Sequence, residues 1–424
     1  MKLKSFVMKR FQLFFICLLA AVALHAQTTK QEVLDNPLST RGQYSNYPVP
    51  TESLTPAPEG YSPVYLSHYG RHGSRYHTSR LNHINAYNTL KAADEANLLT
   101  QLGKSVYERV EKMNNDAIGR DGGLTDVGVE EHRGIAERMF YAYPELFNGS
   151  LMVDSRSTEA PRCILSMAAN NERLRELNPN LKVHRAAFKG DEDILRMEKY
   201  QHDNLKDMGL AKAQLLKDVD PSEFIARVFK KGIADVLDKE QQVQFMRQMY
   251  ALYQIVGCTS YVGVTFDDIF KPEELFVLWV ANSAGNYAKS GNSKRHGKGV
   301  LNDAKPLLKD IVDRADAALN GNGTSADLRF GHDVIVAPLA ALINLNGMGA
   351  CVDPLDNAYK VWADYIVMPM ATNIQFVFYR NKGNNVLVKV LYNEKESTLP
   401  GVKTMNGPYY DWKDVRNYFI NLLN

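Results

Sequence analysis

Arg71-His72-Gly73-Ser74-Arg75 carries the strongest chemical signal in the chain. Two arginines bracket a histidine across a glycine. Guanidinium groups match phosphate oxygens through paired N–H donors. Glycine lets the backbone come close to an anion. Like charge on either side suppresses protonation of the imidazole and leaves a ring nitrogen free as a nucleophile. The sequence holds its own control in Arg295-His296-Gly297, where Gly299 stands in place of the second arginine. That copy lies in a Gly-, Ser- and Lys-rich stretch with no strand before it and reads as a solvated basic loop.

His-Asp occurs twice and by itself means little. His202-Asp203 falls in a charged helical stretch and reads as surface. His332-Asp333 follows Gly331 at the end of an apolar run and opens another, the same setting as His72. A carboxylic acid there would protonate a leaving group if its surroundings raise its pKa, and His332 would donate to a phosphate oxygen. A helix N-cap is the plainer role for Asp333. Arg156, just past Leu151-Met152-Val153-Asp154, is read as a third arginine for the spread charge of a phosphoryl group in transfer. A salt bridge to Asp154 or Glu159 is its plainer role, and Arg162 is its competitor.

The elements that must carry these residues follow a pattern. Val64 to Tyr69 reads as a strand running into the Arg-His-Gly turn, with helices at 81–99 and 103–113 beyond it. Thr125 or Asp126 caps a helix that runs to about Tyr141. A strand at 151–154 leads to a helix ending near Arg175. A third strand-turn-helix unit is Leu328-Arg329-Phe330, Gly331-His332-Asp333 and the run Val336 to Leu345. Residues 365–368, 374–379 and 385–392 read as strands and 412–423 as an amphipathic helix. Three such units favour an α/β sheet whose strand ends converge on one edge, where ligands of open α/β sheets bind. Residues 27–60 read as an extended arm. Residues 190–325 are charged and helical, with helices expected at 223–237, 241–253 and 304–319.

The 424 residues are 45% hydrophobic and 23% charged, with 50 Lys+Arg against 48 Asp+Glu, an ordinary globular balance without the basic surplus of a nucleic-acid binder. Lys2, Lys4, Lys9 and Arg10 precede an apolar run, Phe11 to Ala23, and a small-residue cleavage site after Ala26. This reads as a secretory signal peptide and places the mature chain in a periplasm or outside the cell. Removing its four basic residues turns the formal charge of +2 into a slight acidic excess. Cys163, Cys258 and Cys351 then remain, allowing at most one internal disulfide. No Cys-x-x-Cys pair exists, so neither a disulfide framework nor a thiolate zinc site is expected. No membrane span is expected after signal cleavage.

Taken together, Arg71 to Arg75 near the mature N-terminus, Arg156 after a middle strand and His332-Asp333 late in the chain resemble the histidine acid phosphatases. That branch of the histidine phosphatases includes phytases and multiple inositol polyphosphate phosphatases. Leu124-Thr125, Gly128 and His132 resemble the family as well. The resemblance implies a mixed-sheet α/β core flanked by helices, with an inserted α-helical cap lobe. On this sequence the parts are a signal peptide (1–26), core (27–189), cap lobe (190–303) and core again (304–424). It implies that His72 becomes a phosphohistidine, that Arg71, Arg75, Arg156 and His332 hold the phosphate, and that Asp333 protonates the leaving alcohol. It implies no metal and no cofactor. The expected partner is a small phosphate ester, with inositol polyphosphates such as phytate first and sugar or general phosphomonoesters second. A phosphotransferase or a non-catalytic binder of phosphate ligands are the rival readings. Two departures stand out. His77 occupies a position where the family often has proline. The later motif is His-Asp, where the inositol polyphosphate phosphatases usually carry His-Ala-Glu.

Overall fold

The structure is a computed structural model that describes residues 28–195, 201–321 and 323–424, apart from the side chains of 201–207 and 211. The expected signal peptide lies outside the described residues.

Eight strands form one sheet: β1 (Ser62–Arg71), β2 (Met152–Ser157), β3 (Lys182–Ala186), β4 (Ala326–Gly331), β5 (Asn373–Arg380), β6 (Val386–Tyr392), β7 (Lys395–Glu396) and β8 (Tyr409–Asp411). Their order is β3-β2-β4-β1-β5-β6-β7, with β8 paired to β6. β3, β2, β4 and β1 run parallel, whereas β5 pairs antiparallel to β1 and starts a meander. The late strand β4 is thus inserted between the two early strands, and their three carboxyl ends lie side by side. Helices cover both faces, so the central strands are buried on both sides. All six residues of β4 are buried.

The longer helices are α1 (Leu81–Glu95), α2 (Gln101–Asp116), α3 (Asp126–Ala142), α4 (Pro161–Leu177), α5 (Gln201–Leu216), α6 (Ser222–Val228), α7 (Lys239–Ile255), α8 (Pro272–Ser290), α9 (Lys305–Leu319), α10 (Asp333–Leu342) and α11 (Trp412–Leu423). Strand alternation splits the sheet's side chains between two cores. Leu66, Val153, Leu328 and Phe330 face Ile135 and Met139 of α3 and Met167 and Leu174 of α4. Tyr65, Tyr69, Ile374 and Phe376 face Leu307 and Ile311 of α9, Leu339 of α10 and Phe419 of α11. A third core is wholly helical. In it Phe224, Phe245, Met249 and Trp279 from α6, α7 and α8 pack with Leu90 of α1 and Val106 and Val110 of α2. The helical mass therefore recruits α1 and α2 from the segment that the sequence assigned to the core.

Several local expectations change. Residues 365–368 do not form a strand, because Asp364–Val367 is a short helix. There the Asp364 carboxylate is buried and accepts from Trp279 Nε1 and Asn286 Nδ2, each at 2.8 Å. The helix expected at 223–237 stops at Val228. The edge strand β3 was unread because Lys182, His184 and Arg185 leave it without an apolar period. The arm at 27–60 is partly helical: Lys30–Asp35 carries a Thr29/Glu32 capping box, and Pro37–Tyr44 is a 3-10 turn.

Candidate active site

The register fixes where the site lies. Arg71 pairs with Gly331 across β1 and β4, and Ser157 with Phe330 across β2 and β4. The next residues, His72, His332 and Thr158, therefore leave the sheet at one edge. His72 N–H donates to Gly331 O (2.9 Å) and Thr158 N–H to Phe330 O (3.1 Å), which extends the ladder into the site. The His72 and His332 rings meet edge to face, 5.7 Å between centroids.

The loop after β1 is clamped from behind. Gly73 N–H donates to Ser166 Oγ of α4 (3.1 Å). Ser74 donates N–H and Oγ–H to the Glu131 carboxylate at 2.7 and 2.9 Å. Thr125, the N-cap of α3, donates its N–H and its hydroxyl to Ser74 O at 2.9 and 3.0 Å. This explains the Thr125–Gly128 motif physically. A Cβ on Gly128 would stand 2.3 Å from Ser74 O, and one on Gly73 would stand 2.5 Å from Gly128 O. Only two glycines let the loop seat on the helix start. Glu131 went unnoticed in the sequence. Its signal was a carboxylate one turn beyond Gly128 on the same face. Burial pushes its pKa up, opposed by the donors of Tyr47, Ser74 and Asn46.

The His72 imidazole is buried and its Nδ1 lies 2.9 Å from Gly73 O. A carbonyl only accepts, so Nδ1 carries the proton and Nε2 keeps its lone pair. Burial, then Arg71 and Arg75, then His332 and Arg162, hold its pKa well below the ordinary histidine value. These neighbours favour the neutral ring, whose Nε2 lone pair is open to act as a nucleophile. Arg71 is fully buried, with Nη1 donating to Gln43 O (2.7 Å) and Met368 O (2.6 Å), while Nη2 faces Asp333 Oδ2 at 3.1 Å. Arg75 donates to Tyr76 O and lies over the Tyr44 ring, 5.5 Å from its centroid.

Asp333 opens α10, where Oδ1 accepts from Val334 N–H (3.0 Å). Burial alone would raise its pKa. Arg71, Lys289, Arg75 and His332 outweigh burial and hold it far below the usual carboxylate range. The condition set for a general acid, a raised pKa, is therefore not met in the free protein, where the arginine that would bind phosphate is paired with the acid. His332 sits with Nε2 3.2 Å from Thr158 Oγ1 and Nδ1 3.4 Å from Arg162 Nη2. An arginine only donates, so Nδ1 accepts and Nε2 bears the proton.

Arg156 is the residue the site does not collect. It is still inside β2, so its side chain stands off the sheet face toward α9 instead of leaving the strand end. It pairs with Asp310 (2.7 Å) and Asp191 (3.4 Å), with Asp154 at 3.9 Å. Asp310 also holds Arg329 (2.7 Å) and Arg314 (3.2 Å). Burial would raise the Asp310 pKa, but Arg329, Arg156 and Arg314 bring it to about 2. The third arginine of the site is Arg162. It lies in the first turn of α4, against His332, and its charge reaches His72. Of the other motifs, Arg295-His296 lies in a separate loop beside Lys294 and Asp353. His202-Asp203 falls in α5 at side chains outside the described set. None of Cys163, Cys258 and Cys351 forms a disulfide with another described residue.

Residues 70–393 match the family described as the histidine phosphatase superfamily (branch 2). A multiple inositol polyphosphate phosphatase from Bifidobacterium longum, in complex with inositol hexasulfate, superposes with a TM-score of 0.76 at 18% identity, covering 90% of this chain and 97% of that one. The phytase from D. castellii superposes with a TM-score of 0.65 at 14% identity, covering 91% and 85%. No curated protein matches the chain. The strand-end histidine, its arginines and the matched family agree, and the chain is a phosphatase belonging to branch 2 of the histidine phosphatase superfamily.

Proposed function

We propose that the protein hydrolyses phosphomonoesters through a phosphohistidine on His72, with inositol polyphosphates such as phytate as substrate. The observation that carries the reading is the neutral His72 ring. Its Nδ1–H is engaged by Gly73 O, and it is set among Arg71, Arg75 and Arg162 with Asp333 across the pocket.

His72 Nε2 attacks phosphorus, and the bond from phosphorus to the ester oxygen breaks. The three arginines offer donors to the equatorial oxygens, where charge gathers in the transition state. His332 joins them by releasing Thr158. Asp333 gives a proton to the departing oxygen. A water then attacks phosphorus and passes a proton back to Asp333, and His72 leaves as the neutral ring. Asp333 is ionised in the free protein, so its proton must arrive with the substrate. A phosphate monoanion supplies one. Its negative oxygens also draw Arg71 away and raise the carboxyl pKa. No step uses a metal.

The inositol polyphosphate reading is supported by the fold shared with the Bifidobacterium longum and D. castellii enzymes. We also propose export, on the leader read at residues 1–26; N-terminal sequencing of secreted protein checks it, and a retained Met1 overturns it.

The test is phosphate release with EDTA present from phytate, glucose 1-phosphate and an aryl phosphate. His72→Ala should abolish release while the fold survives, and acid-quenched wild type should hold acid-labile phosphate. Retained turnover in His72→Ala refutes the mechanism. Release from the smaller esters alone refutes the substrate.

A further inference from the structure

Arg71 is a buried cation with few anchors. Nη1 donates to Gln43 O and Met368 O, and Nη2 faces Asp333. Its Nε is buried without a hydrogen-bond partner among the described residues. In the reaction written above, substrate draws Nη2 from Asp333 to the phosphate. The two carbonyls are then the hydrogen-bond anchors that remain among the described residues. A guanidinium holds its donors in one rigid plane, so a shift of either carbonyl re-aims the whole group.

Both carbonyls lead back to one residue that the mechanism does not use. Met368 caps the short helix Asp364–Val367, and its N–H donates to Asp364 O at 2.8 Å. Gln43 belongs to the 3-10 turn Pro37–Tyr44, and the Asp364 carboxylate is set against that turn. The backbone at Gly42 passes so close that a Cβ there would stand 2.6 Å from Asp364 Oδ2. Gly42 also has φ +58° and ψ −131°, a conformation that favours glycine. Gln43 comes next. Its N–H faces the carboxylate and its carbonyl takes Arg71, so one residue separates Asp364 from the arginine.

Asp364 is fully buried, and burial pushes its carboxyl pKa up, opposed by Trp279, Asn286, the Gln43 amide and Lys212. A carboxylate only accepts, so it can take several N–H groups at once. An amide in its place would turn a donor toward one of them. The other contacts come from the helical lobe. Trp279 and Asn286 reach Asp364 from α8, while Tyr250, Tyr253 and Gln254 of α7 donate to Thr40 O, Pro37 O and Arg41 O of the turn. Asp364 thus stands where the lobe, the turn and the catalytic arginine join.

We propose that Asp364 is a positioning residue for phosphoryl transfer, acting through Gln43 to aim the Arg71 guanidinium at the phosphate. This rests on the phosphomonoesterase reading of the site.

The test is a double-variant cycle of Asp364→Asn with Arg71→Lys, on samples shown to be folded by circular dichroism. Misplacing a catalytic group by about 1 Å costs on the order of 10²-fold, so Asp364→Asn should lower kcat/KM for an aryl phosphate by about that factor. In the Arg71→Lys background, where no fork remains to be aimed, the same change should cost less than about twofold. Residues that act through one another are non-additive in this way, whereas a merely structural loss would multiply in both backgrounds. An undiminished effect of Asp364→Asn in Arg71→Lys overturns the proposal. Gly42→Ala displaces the same carboxylate from the side of the turn and should reproduce the loss; it carries the cycle if Asp364→Asn does not fold, and unchanged kcat/KM in folded Gly42→Ala would overturn the proposal too. Calorimetric binding of inorganic phosphate reads Arg71 without turnover. Its affinity should fall by about tenfold in Asp364→Asn, the scale of one charge-assisted hydrogen bond, and equal affinity in wild type and variant refutes the positioning role. Wild type that releases no phosphate would refute the phosphatase mechanism instead, with phosphate binding still deciding the role of Asp364.

Discussion

Arg156 and Arg162 are six residues apart, and the structure gives them opposite duties, which one pair of variants separates. Arg162→Met removes a guanidinium that lies against His332 and acts on His72. A donor aimed at developing phosphoryl charge is worth about 3–4 kcal/mol in the transition state, so kcat should fall by roughly 10²- to 10³-fold. Arg156→Met instead breaks the 2.7 Å pair with Asp310 and the 3.4 Å pair with Asp191. Asp310 keeps Arg329 at 2.7 Å and Arg314 at 3.2 Å, so its charge is not stranded. The cost is then about 2 kcal/mol, one hydrogen bond to a charged group, well below that of a wholly uncompensated buried ion. For a chain of this size that lowers Tm by roughly 2–3 °C. The expected pattern is a large kcat loss with Arg162→Met, and a Tm loss with less than about fivefold change in kcat with Arg156→Met. Turnover of an aryl phosphate and thermal melts on the same samples measure both. A hundredfold drop in kcat for Arg156→Met at unchanged Tm would refute the assignment and restore Arg156 to the phosphate.

Asp333→Asn should slow alkyl phosphates by about 10²- to 10⁴-fold and aryl phosphates far less, because only the poorer leaving group needs the proton; equal losses would remove the general acid. Because Arg71 holds Asp333 ionised in the free protein, kcat/KM should decline above about pH 6, where phosphate monoesters lose their second proton. Moving that substrate ionisation with electron-withdrawing esters should move the decline, and a profile that stays put would place the proton on the enzyme. Burial holds His132 at about 4, below the unfolded value of about 6.5. The unfolded chain therefore binds the extra proton first, and stability present above pH 6.5 is lost as pH falls toward 4, by about 3 kcal/mol. His132→Leu should flatten that loss in urea melts at pH 4 and 7, since leucine has no proton to bind; an unchanged pH slope would count against it.

Chain-local physics settled much of this protein. The alternation of Val64 to Tyr69, the apolar run after Asp333 and the turn residues between them set three strand-turn-helix units. Strand ends of a parallel sheet share an edge, so His72 and His332 belong to one edge, and the pairing of β4 beside β1 brings them together. The glycines at 73 and 128 stood in the sequence as motif letters, but the reason for them is a contact between loop and helix that no local rule contains. Direction and charge were decided by packing. Whether Arg156 leaves the strand end or stands off its face depends on where β2 stops, and three residues of extra strand, 155 to 157, turned it toward Asp310. Arg162 was placed by the start of α4, one helical turn later. The Asp333 pKa depended on Arg71, distant in sequence and 3.1 Å away in space. Sequence spacing fixes which groups reach an edge. Burial and through-space charge, which depend on every neighbour at once, decide what those groups then do.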